Sequence, residues 1–285
     1  VSYGKVSDAK EKQSVAQAPG VMPVSLLRHV LPIAVTLQLE DLEAELPETQ
    51  EIVIPVEPPP EVRHRYAQAR DKLLAAIKRD RFSKKAGKLF GQLSELPSYL
   101  DRATSDTGNR LNGHYVVQYP KDVGGEVLAD FEGCDPLVML PKERKMCEII
   151  TGELQEGRRV MVFPWHTELM PRLKKLIEAQ CKCRAVILEA DKVGSKKREH
   201  WIDKNVVKPG IEVLIVNPVA VQTGLNNLVH FCSVIWYENP GCNPQVRRQA
   251  QGRIYRIGQM KPVRNYTLYY ENTAQSLLHE LLLYK

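Results

Sequence analysis

No apolar run in this sequence approaches the roughly 18 residues that would cross a bilayer, and its start lacks the charged-then-apolar order of a secretory signal. The expectation is an intracellular chain with no membrane partner, cytoplasmic or nucleoid-associated in a bacterium and nuclear in a eukaryote. Cysteine is scarce, six among 285 residues, which excludes a scaffold built on disulfides. Cys181 and Cys183 form a C-x-C, but Cys134, Cys147, Cys232 and Cys242 supply no second close pair, so the reading is ordinary reduced thiols and no metal site. Glycine and proline, at 17 and 19, are too few for a collagen-like chain, and a 43% hydrophobic fraction excludes a wholly disordered one. Asp and Glu are missing altogether between Asn239 and Tyr270, while Arg247, Arg248, Arg253, Arg256, Lys261 and Arg264 fall inside that stretch. Such a stretch suits a polyanion, either a nucleotide phosphate or a nucleic-acid backbone, or else it is a solvated basic face.

What is present is enough to bury a sizeable core, on a length that suggests about two domains. The net charge of +6 is too mild to name a partner by itself. A start at Val1 instead of Met suggests a piece of a longer protein. Residues 1 to 25 are polar and aperiodic and read as irregular. From Ser25 to Val56, short apolar runs broken by Pro32, Pro47 and Pro55 predict extended pieces and turns. Beyond Pro58, Pro59 and Pro60, apolar residues at Val62, Tyr66, Ala69, Leu73, Leu74 and Ile77 recur at helical spacing and predict an amphipathic helix of about 20 residues. A second helix is expected over Ala86 to Leu100, then a loop region from Thr104 to Cys134 holding one short strand near Tyr115 to Gln118.

After Pro136 the pattern alternates. Strands are predicted at Val160 to Phe163, Ala185 to Leu188, Val213 to Val216, Val234 to Tyr237 and Val263 to Tyr270. Helices are predicted at Leu169 to Ile177, Lys197 to Val207, Pro244 to Tyr255 and Ala274 to Leu283. That interval implies βαβ units, hence an α/β domain with a parallel sheet and helices on both faces. Ligands of such sheets collect beyond the carboxyl ends of the strands, which puts the loops after Phe163, Val216 and Tyr237 on one functional edge. The loop from Asn217 to Asn226 offers the Thr223 hydroxyl, the flexible Gly224 and the Asn226 amide, groups that suit a phosphate. In the helix opening at Asn243-Pro244, residues Gln249, Arg253 and Arg256 stand at i, i+4 and i+7. That spacing lines one amide and two guanidinium forks along a single face, suited to phosphate oxygens.

Read together, Asn243-Pro244, then Gln249-Ala250-Gln251-Gly252-Arg253-Ile254-Tyr255-Arg256-Ile257-Gly258-Gln259, then Lys261-Pro262-Val263, resemble the last helicase motif of the Swi/Snf-type ATPases, double-stranded-DNA translocases of helicase superfamily two. Thr223-Gly224-Leu225-Asn226 resembles the motif before it, Arg159 to Phe163 the first strand of the second lobe, and Arg198 to Ile202 the substrate-side helix. Leu26 to His29, Glu45 to Pro47 and Pro60 to Tyr66 resemble the passage from the first lobe to the second. The sequence departs from the family where Thr223 replaces a common glycine, where Gly252 replaces an acidic residue, and where Pro164-Trp165 replace a Ser-Gln.

The resemblance implies a RecA-like parallel sheet preceded by a mostly helical extension. It divides the chain into the end of a first lobe with the inter-lobe segment (1–60), a helical insertion (61–135) and a second helicase lobe (136–285). It implies ATP and Mg²⁺ as cofactors, held mainly by the first lobe, because no G-x-x-x-x-G-K-[ST] loop is present: Gly4-Lys5 is followed by Val6 and Gly87-Lys88 by Leu89. Arg253 and Arg256 would be the catalytic arginine fingers, with Gln249 and Gly224 on the nucleotide. Thr223, Asn226, Lys196, Lys197 and Arg198 would touch double-stranded DNA, and the partners would be that DNA and the first lobe. The chain would then be part of an ATP hydrolase, inactive by itself. The alternative is a nucleic-acid-binding or interaction module with the same fold and no hydrolysis.

Overall fold

Strands made of four apolar residues in a row have no polar side to turn to water, so they must be covered on both faces. In a computed structural model of the chain, Val160–Phe163, Val213–Val216 and Ser233–Trp236 are buried along their whole length. The residues described are 2–3, 16–17, 23–35, 46–79, 114–119, 126–132, 135, 137–221, 225–238 and 244–283. They fall into two compact units, 1–45 and 46–285.

In the first unit, β1 (Ser2–Tyr3) pairs antiparallel with β2 (Ala16–Gln17). Helical turns follow over Pro23–Ser25, Leu26–Val30 and Leu31–Ile33, where irregular chain up to Ser25 and extended pieces and turns beyond it were expected. The prolines do not oppose this. Pro23 opens the segment and Pro32 falls in the first turn of its last part, where a missing N–H leaves no bond unmade.

The second unit is built on a six-stranded sheet, parallel throughout. Its strands are β3 (Thr49–Val56), β6 (Val160–Phe163), β7 (Ala185–Leu188), β8 (Val213–Val216), β9 (Ser233–Trp236) and β10 (Val263–Tyr270), in the order β3-β10-β9-β6-β8-β7. The central β6 is flanked by β8 and β9, so the order reverses there and the topological switch point lies beyond Phe163. Thr49–Val56, read from sequence with the inter-lobe segment, is the outer strand of this sheet, and Pro55 is tolerated there because an edge strand has a side without ladder bonds.

Helices α1 (Pro60–Arg79), α2 (Pro141–Gln155), α3 (Met170–Cys181), α4 (Arg198–Ile202), α5 (Pro218–Val221), α6 (Pro244–Gln251) and α7 (Ala274–Leu283) complete the unit. Alternation along the strands separates two cores. Met161, Phe163, Leu214, Val216, Val234 and Trp236 meet α4, α5, α6 and the segment holding Leu225, Leu228 and Phe231. Val160, Val162, Val213, Ile215 and Ile235 meet Met146 and Ile150 of α2 and Leu173 and Ile177 of α3. Phe163 and Trp236 stack with centroids 4.7 Å apart in the first core.

A buried carboxylate binds the amino-terminal ends of the strands together. Glu153 of α2 accepts bonds from Arg158 Nε (2.6 Å), Arg264 Nη1 (2.8 Å), the Tyr266 hydroxyl (2.7 Å) and the Ser233 hydroxyl. Arg158 reaches further, to the carbonyls of Cys232 (2.8 Å) and Pro262 (2.6 Å). Outside the sheet, β4 (His114–Tyr119) pairs antiparallel with β5 (Glu126–Glu132) as a separate ribbon. The strand read at Tyr115 to Gln118 is thus present and outside the main sheet, and β5 is an addition to the reading. The helix expected over Ala86 to Leu100 lies outside the described residues. Among the described residues no helix is long and apolar enough to cross a membrane.

Candidate functional site

Because β8, β6 and β9 are neighbours and parallel, the loops after them share one edge, as their order in the sequence suggested. Two successive amides there, Trp165 N–H and His166 N–H, donate to Glu238 Oε2 at 2.9 and 2.8 Å, and His166 Nδ1 lies 2.8 Å from Glu238 Oε1. Asn217 Nδ2 donates to the Trp165 carbonyl at 2.7 Å. A pair of amides of this kind is a ready anion site. Here the buried Glu238 carboxylate, 2% exposed, fills it from within. The neighbouring cavity of about 470 Å³ is lined by Glu168, Glu189 and Asp191 together with Asn217, an acidic lining that disfavours phosphate.

Beside it stand the predicted basic residues. Lys196 and Lys197 are exposed on a short 3₁₀ turn (Ser195–Lys197) that leads into α4. Arg198 is bound to the protein: its guanidinium donates to the carbonyls of Ala220 (2.8 Å), Val193 (3.0 Å) and Ala190 (3.2 Å). It thereby fixes the end of α5 against the start of α4. Glu199 accepts from Asn226 N–H at 3.2 Å, and its carbonyl accepts from Asn227 Nδ2 at 2.8 Å. Thr223 and Gly224 lie outside the described residues.

Arg256 donates from Nη1 to Asn226 Oδ1 at 2.6 Å and to the Leu225 carbonyl at 3.4 Å. Thus Asn226 is held on one side by Arg256 and on the other by Glu199, next to Arg198. The route by which Arg256 arrives differs from the sequence reading. α6 ends at Gln251, so the i, i+4, i+7 face runs out before Arg253 and Arg256. Both sit in successive turns, with Ile254 N–H and Tyr255 N–H donating to the Gln251 carbonyl at 2.9 Å. Gly252 weakens the helix there. Buried Ala250 and Ile254 anchor the turns to the core, and Gly258 at φ +97 supplies a conformation that disfavours any side chain.

Gln259, 6% exposed, locks the turn series. Its Nε2 donates to the carbonyls of Phe231 (2.9 Å), Val229 (3.2 Å) and Ile254 (3.2 Å). Its Oε1 accepts from Met260 N–H and Lys261 N–H at 3.0 and 3.1 Å. The sequence placed Gln259 in the motif without a role, and the structure gives it the positioning of Arg253 and Arg256. Gln249 and Arg253 are half-buried and Arg248 is exposed.

The stretch without carboxylates is not one basic surface. Arg247 lies over the Trp236 ring at 5.2 Å and donates to Glu51 Oε2 (2.8 Å) and the Thr267 hydroxyl (2.7 Å). Burial pushes the Glu51 carboxyl above its usual range and the Arg247 guanidinium below its own, each partly opposed by the other's charge. Gln251 Nε2 donates to Glu51 Oε1 at 3.0 Å, so one side chain of β3 holds α6 at two points. Arg264 is taken by Glu153 and Glu156, at 2.8 and 2.7 Å, and Lys261 by the Gly157 carbonyl at 2.8 Å. Arg247, Lys261 and Arg264 therefore serve the fold.

The class defined at this point is a RecA-like α/β lobe with helices on both faces. No protein-family model matches the chain. It is 32% identical over 129 residues to the mouse (Mus musculus) SWI/SNF-related matrix-associated actin-dependent regulator of chromatin subfamily A member 1, a match covering 44% of this chain and 12% of that protein. The chain spans 11–20% of the length of the curated relatives it matches. In fold it is similar to the C-terminal part of the Fun30 ATPase domain, with a TM-score of 0.61 at 16% identity, covering 84% of this chain and 90% of that one. It is also similar to the Sulfolobus solfataricus SWI2/SNF2 ATPase core in complex with dsDNA, with a TM-score of 0.58 at 21% identity, covering 84% of this chain and 44% of that one. The relatives and the solved structures named here are of the Swi/Snf type, and the fold that the chain shares with the latter is that of a RecA-like lobe.

Proposed function

We propose that this lobe works with a first lobe as half of an ATP-dependent double-stranded DNA translocase. The observation that carries the reading is the meeting at Asn226: Arg256 reaches it from the arginine turns, and Glu199 reaches it from the helix that follows Lys196 and Lys197. In this reading a nucleotide-facing cation and a DNA-facing basic turn would share one segment of chain. In this reading ATP and Mg²⁺ sit mainly on the first lobe, and Arg253 and Arg256 extend across the cleft as it closes, with Gln249 and Gly224 beside the nucleotide. Two guanidinium forks aimed at the γ-phosphate would stabilise charge that grows in the transition state. Closing and opening of the cleft would gate movement along one strand and involve no chemistry on DNA.

Thr223, Asn226, Lys196 and Lys197 would touch the phosphates of that strand, and Arg198 would act by setting the loop, since its guanidinium already holds three carbonyls. Phosphate contacts carry no sequence information. DNA binding by the chain should therefore be weak, indifferent to sequence and steeply salt-dependent. Replacing both Lys196 and Lys197 by Gln should lower the slope of log affinity against log salt by about 2 for duplex DNA. Fluorescence anisotropy between about 50 and 200 mM salt measures it. A slope unchanged in the double variant, or a strong sequence preference, would remove the DNA assignment.

A further inference from the structure

The opposite end of the sheet, where β6, β7 and β8 begin, carries a second concentration of chemistry. Cys147 is buried on α2, Cys181 is the last residue of α3, and Cys183 follows after Lys182, whose φ of 53 turns the chain sharply between the two. The Cys181 thiol donates to the Cys147 carbonyl at 3.6 Å, which brings these two residues of α2 and α3 together, and Cys183 stands two positions further along the chain. Three of the four cysteines among the described residues thus form one cluster, and the fourth, Cys232, is buried elsewhere.

A cavity of about 540 Å³ opens beside the cluster, with Cys181, Cys183, Thr151, Arg159, Lys182 and Glu212 in its wall. Glu212 pairs with Arg184 at 3.4 Å, and Glu178 also lies close enough to act on Cys183. Gly210, at φ +69, supplies a turn that disfavours any side chain between Arg159 and Arg184. Hydrogen bonds donated to sulfur favour thiolate. The bonds from Cys147 and Cys183 hold Cys181 well below the ordinary thiol range, and the same bonds push Cys147 and Cys183 above it. Among the described residues no group of three His, Cys, Asp or Glu is arranged to hold a metal ion.

We propose that Cys181 and Cys147 form a peroxide-sensitive thiol pair. The half-exposed Cys181 thiolate attacks one oxygen of hydrogen peroxide and the O–O bond breaks. Sulfur is oxidised by two electrons to the sulfenic acid, and the departing hydroxide takes a proton to become water. The Cys147 thiol then attacks the Cys181 sulfur. An S–S bond forms, the S–O bond breaks, and the hydroxyl leaves with the Cys147 proton as a second water. Cys147 is the partner because it belongs to the neighbouring helix and already meets Cys181 at its carbonyl, whereas a bridge between residues two apart would close a tight, strained ring. The product would cross-link α2 to α3 at the end of the lobe away from the DNA-facing loops.

The sequence itself makes the test clean. Trypsin cleaves after Lys145, Arg158, Lys175, Lys182 and Arg184, so Cys147, Cys181 and Cys183 leave in separate peptides. The reduced chain is exposed to one equivalent of hydrogen peroxide, quenched with iodoacetamide, digested without reductant and weighed by mass spectrometry. Peptides 146–158 and 176–182 should appear joined, two hydrogens lighter than their sum, in the wild type and in Cys183→Ser, and not in Cys147→Ser or Cys181→Ser. As a measurement that needs no variant, Cys181 of the unoxidised chain should react with iodoacetamide at neutral pH roughly tenfold faster than Cys183. A bridge joining 176–182 to 183–184, no bridge at all, or equal alkylation rates at the two cysteines would overturn the proposal.

Discussion

Replacing Glu153 by Leu should destabilise the second unit by about 3–5 kcal/mol, the cost of leaving a buried charge without its partner. The magnitude follows from the geometry. Glu153 and Arg158 have side chains 4% and 6% exposed and meet at 2.6 Å, so water cannot replace the lost carboxylate. Arg158 would retain only neutral acceptors, the Ser233 hydroxyl at 3.0 Å and the carbonyls of Cys232 and Pro262. Arg264 adds little to the cost, because it is 28% exposed and keeps Glu156 at 2.7 Å. At about 2–4 °C per kcal/mol for a unit of this size, the melting temperature should fall by roughly 6–20 °C. Replacing Glu153 and Arg158 together by Leu should cost less than Glu153→Leu alone, since no unpaired charge remains. Urea titration followed by circular dichroism measures both, with an unchanged slope showing that the transition is the same. A single variant within about 0.5 kcal/mol of the wild type, or a double variant costing the sum of the two singles, would refute the reasoning.

The same carboxylate sets an acid limit. Burial raises its pKa, but bonds from Ser233, Tyr266, Arg264 and Arg158 outweigh burial and hold it below the usual range. A group depressed on folding contributes stability that is present above its unfolded value, about 4.3, and is lost as pH falls through the folded one, so the wild type should lose stability below about pH 4 more steeply than Glu153→Gln. Arg198→Ala should cost about 1–3 kcal/mol, because three carbonyls lose a charged donor, whereas Lys197→Ala should change stability by less than about 0.5 kcal/mol; thermal melts separate the two. Glu51→Ala should cost about 1–2 kcal/mol and loosen α6, discounted because Glu51 is 46% exposed, and hydrogen exchange at the α6 amides should rise; exchange unchanged in α6 would show that β3 does not hold it.

How much of this was legible depended on where each residue's partners lay. The five strands from β6 to β10 were readable because runs such as Val160–Phe163 and Val213–Val216 are apolar without interruption, as burial on both faces requires. β3 was not assigned to the sheet, because Glu51 and Pro55 interrupt its apolar residues, features that only an edge strand permits. α2 was missed for the opposite reason. Lys142, Glu143 and Glu153 would be placed outside by their polarity, yet all three are buried, with Glu143 gripped by Arg172 at 2.5 and 3.0 Å.

The basic stretch after Asn239 misled in part, since the carboxylates that neutralise Arg247 and Arg264 lie 196 and 111 positions away, beyond any local pattern. Glu238 with His166, and Asn217 with Trp165, likewise meet only because β9, β6 and β8 are neighbours. The residues that could be named beforehand, Asn226 and Arg256, came from a motif dense enough to read without contacts. Their bond to each other came only from the fold.

The central claim is that Arg256 serves the transition state of ATP hydrolysis. In the full-length protein with its first lobe, steady-state ATPase activity at saturating duplex DNA should fall by about 10³–10⁵-fold in Arg256→Ala, while the equilibrium Kd for a fluorescent nucleotide stays close to that of the wild type. Near-normal turnover in Arg256→Ala, alongside its abolition in the exposed Arg248→Ala, would contradict the account.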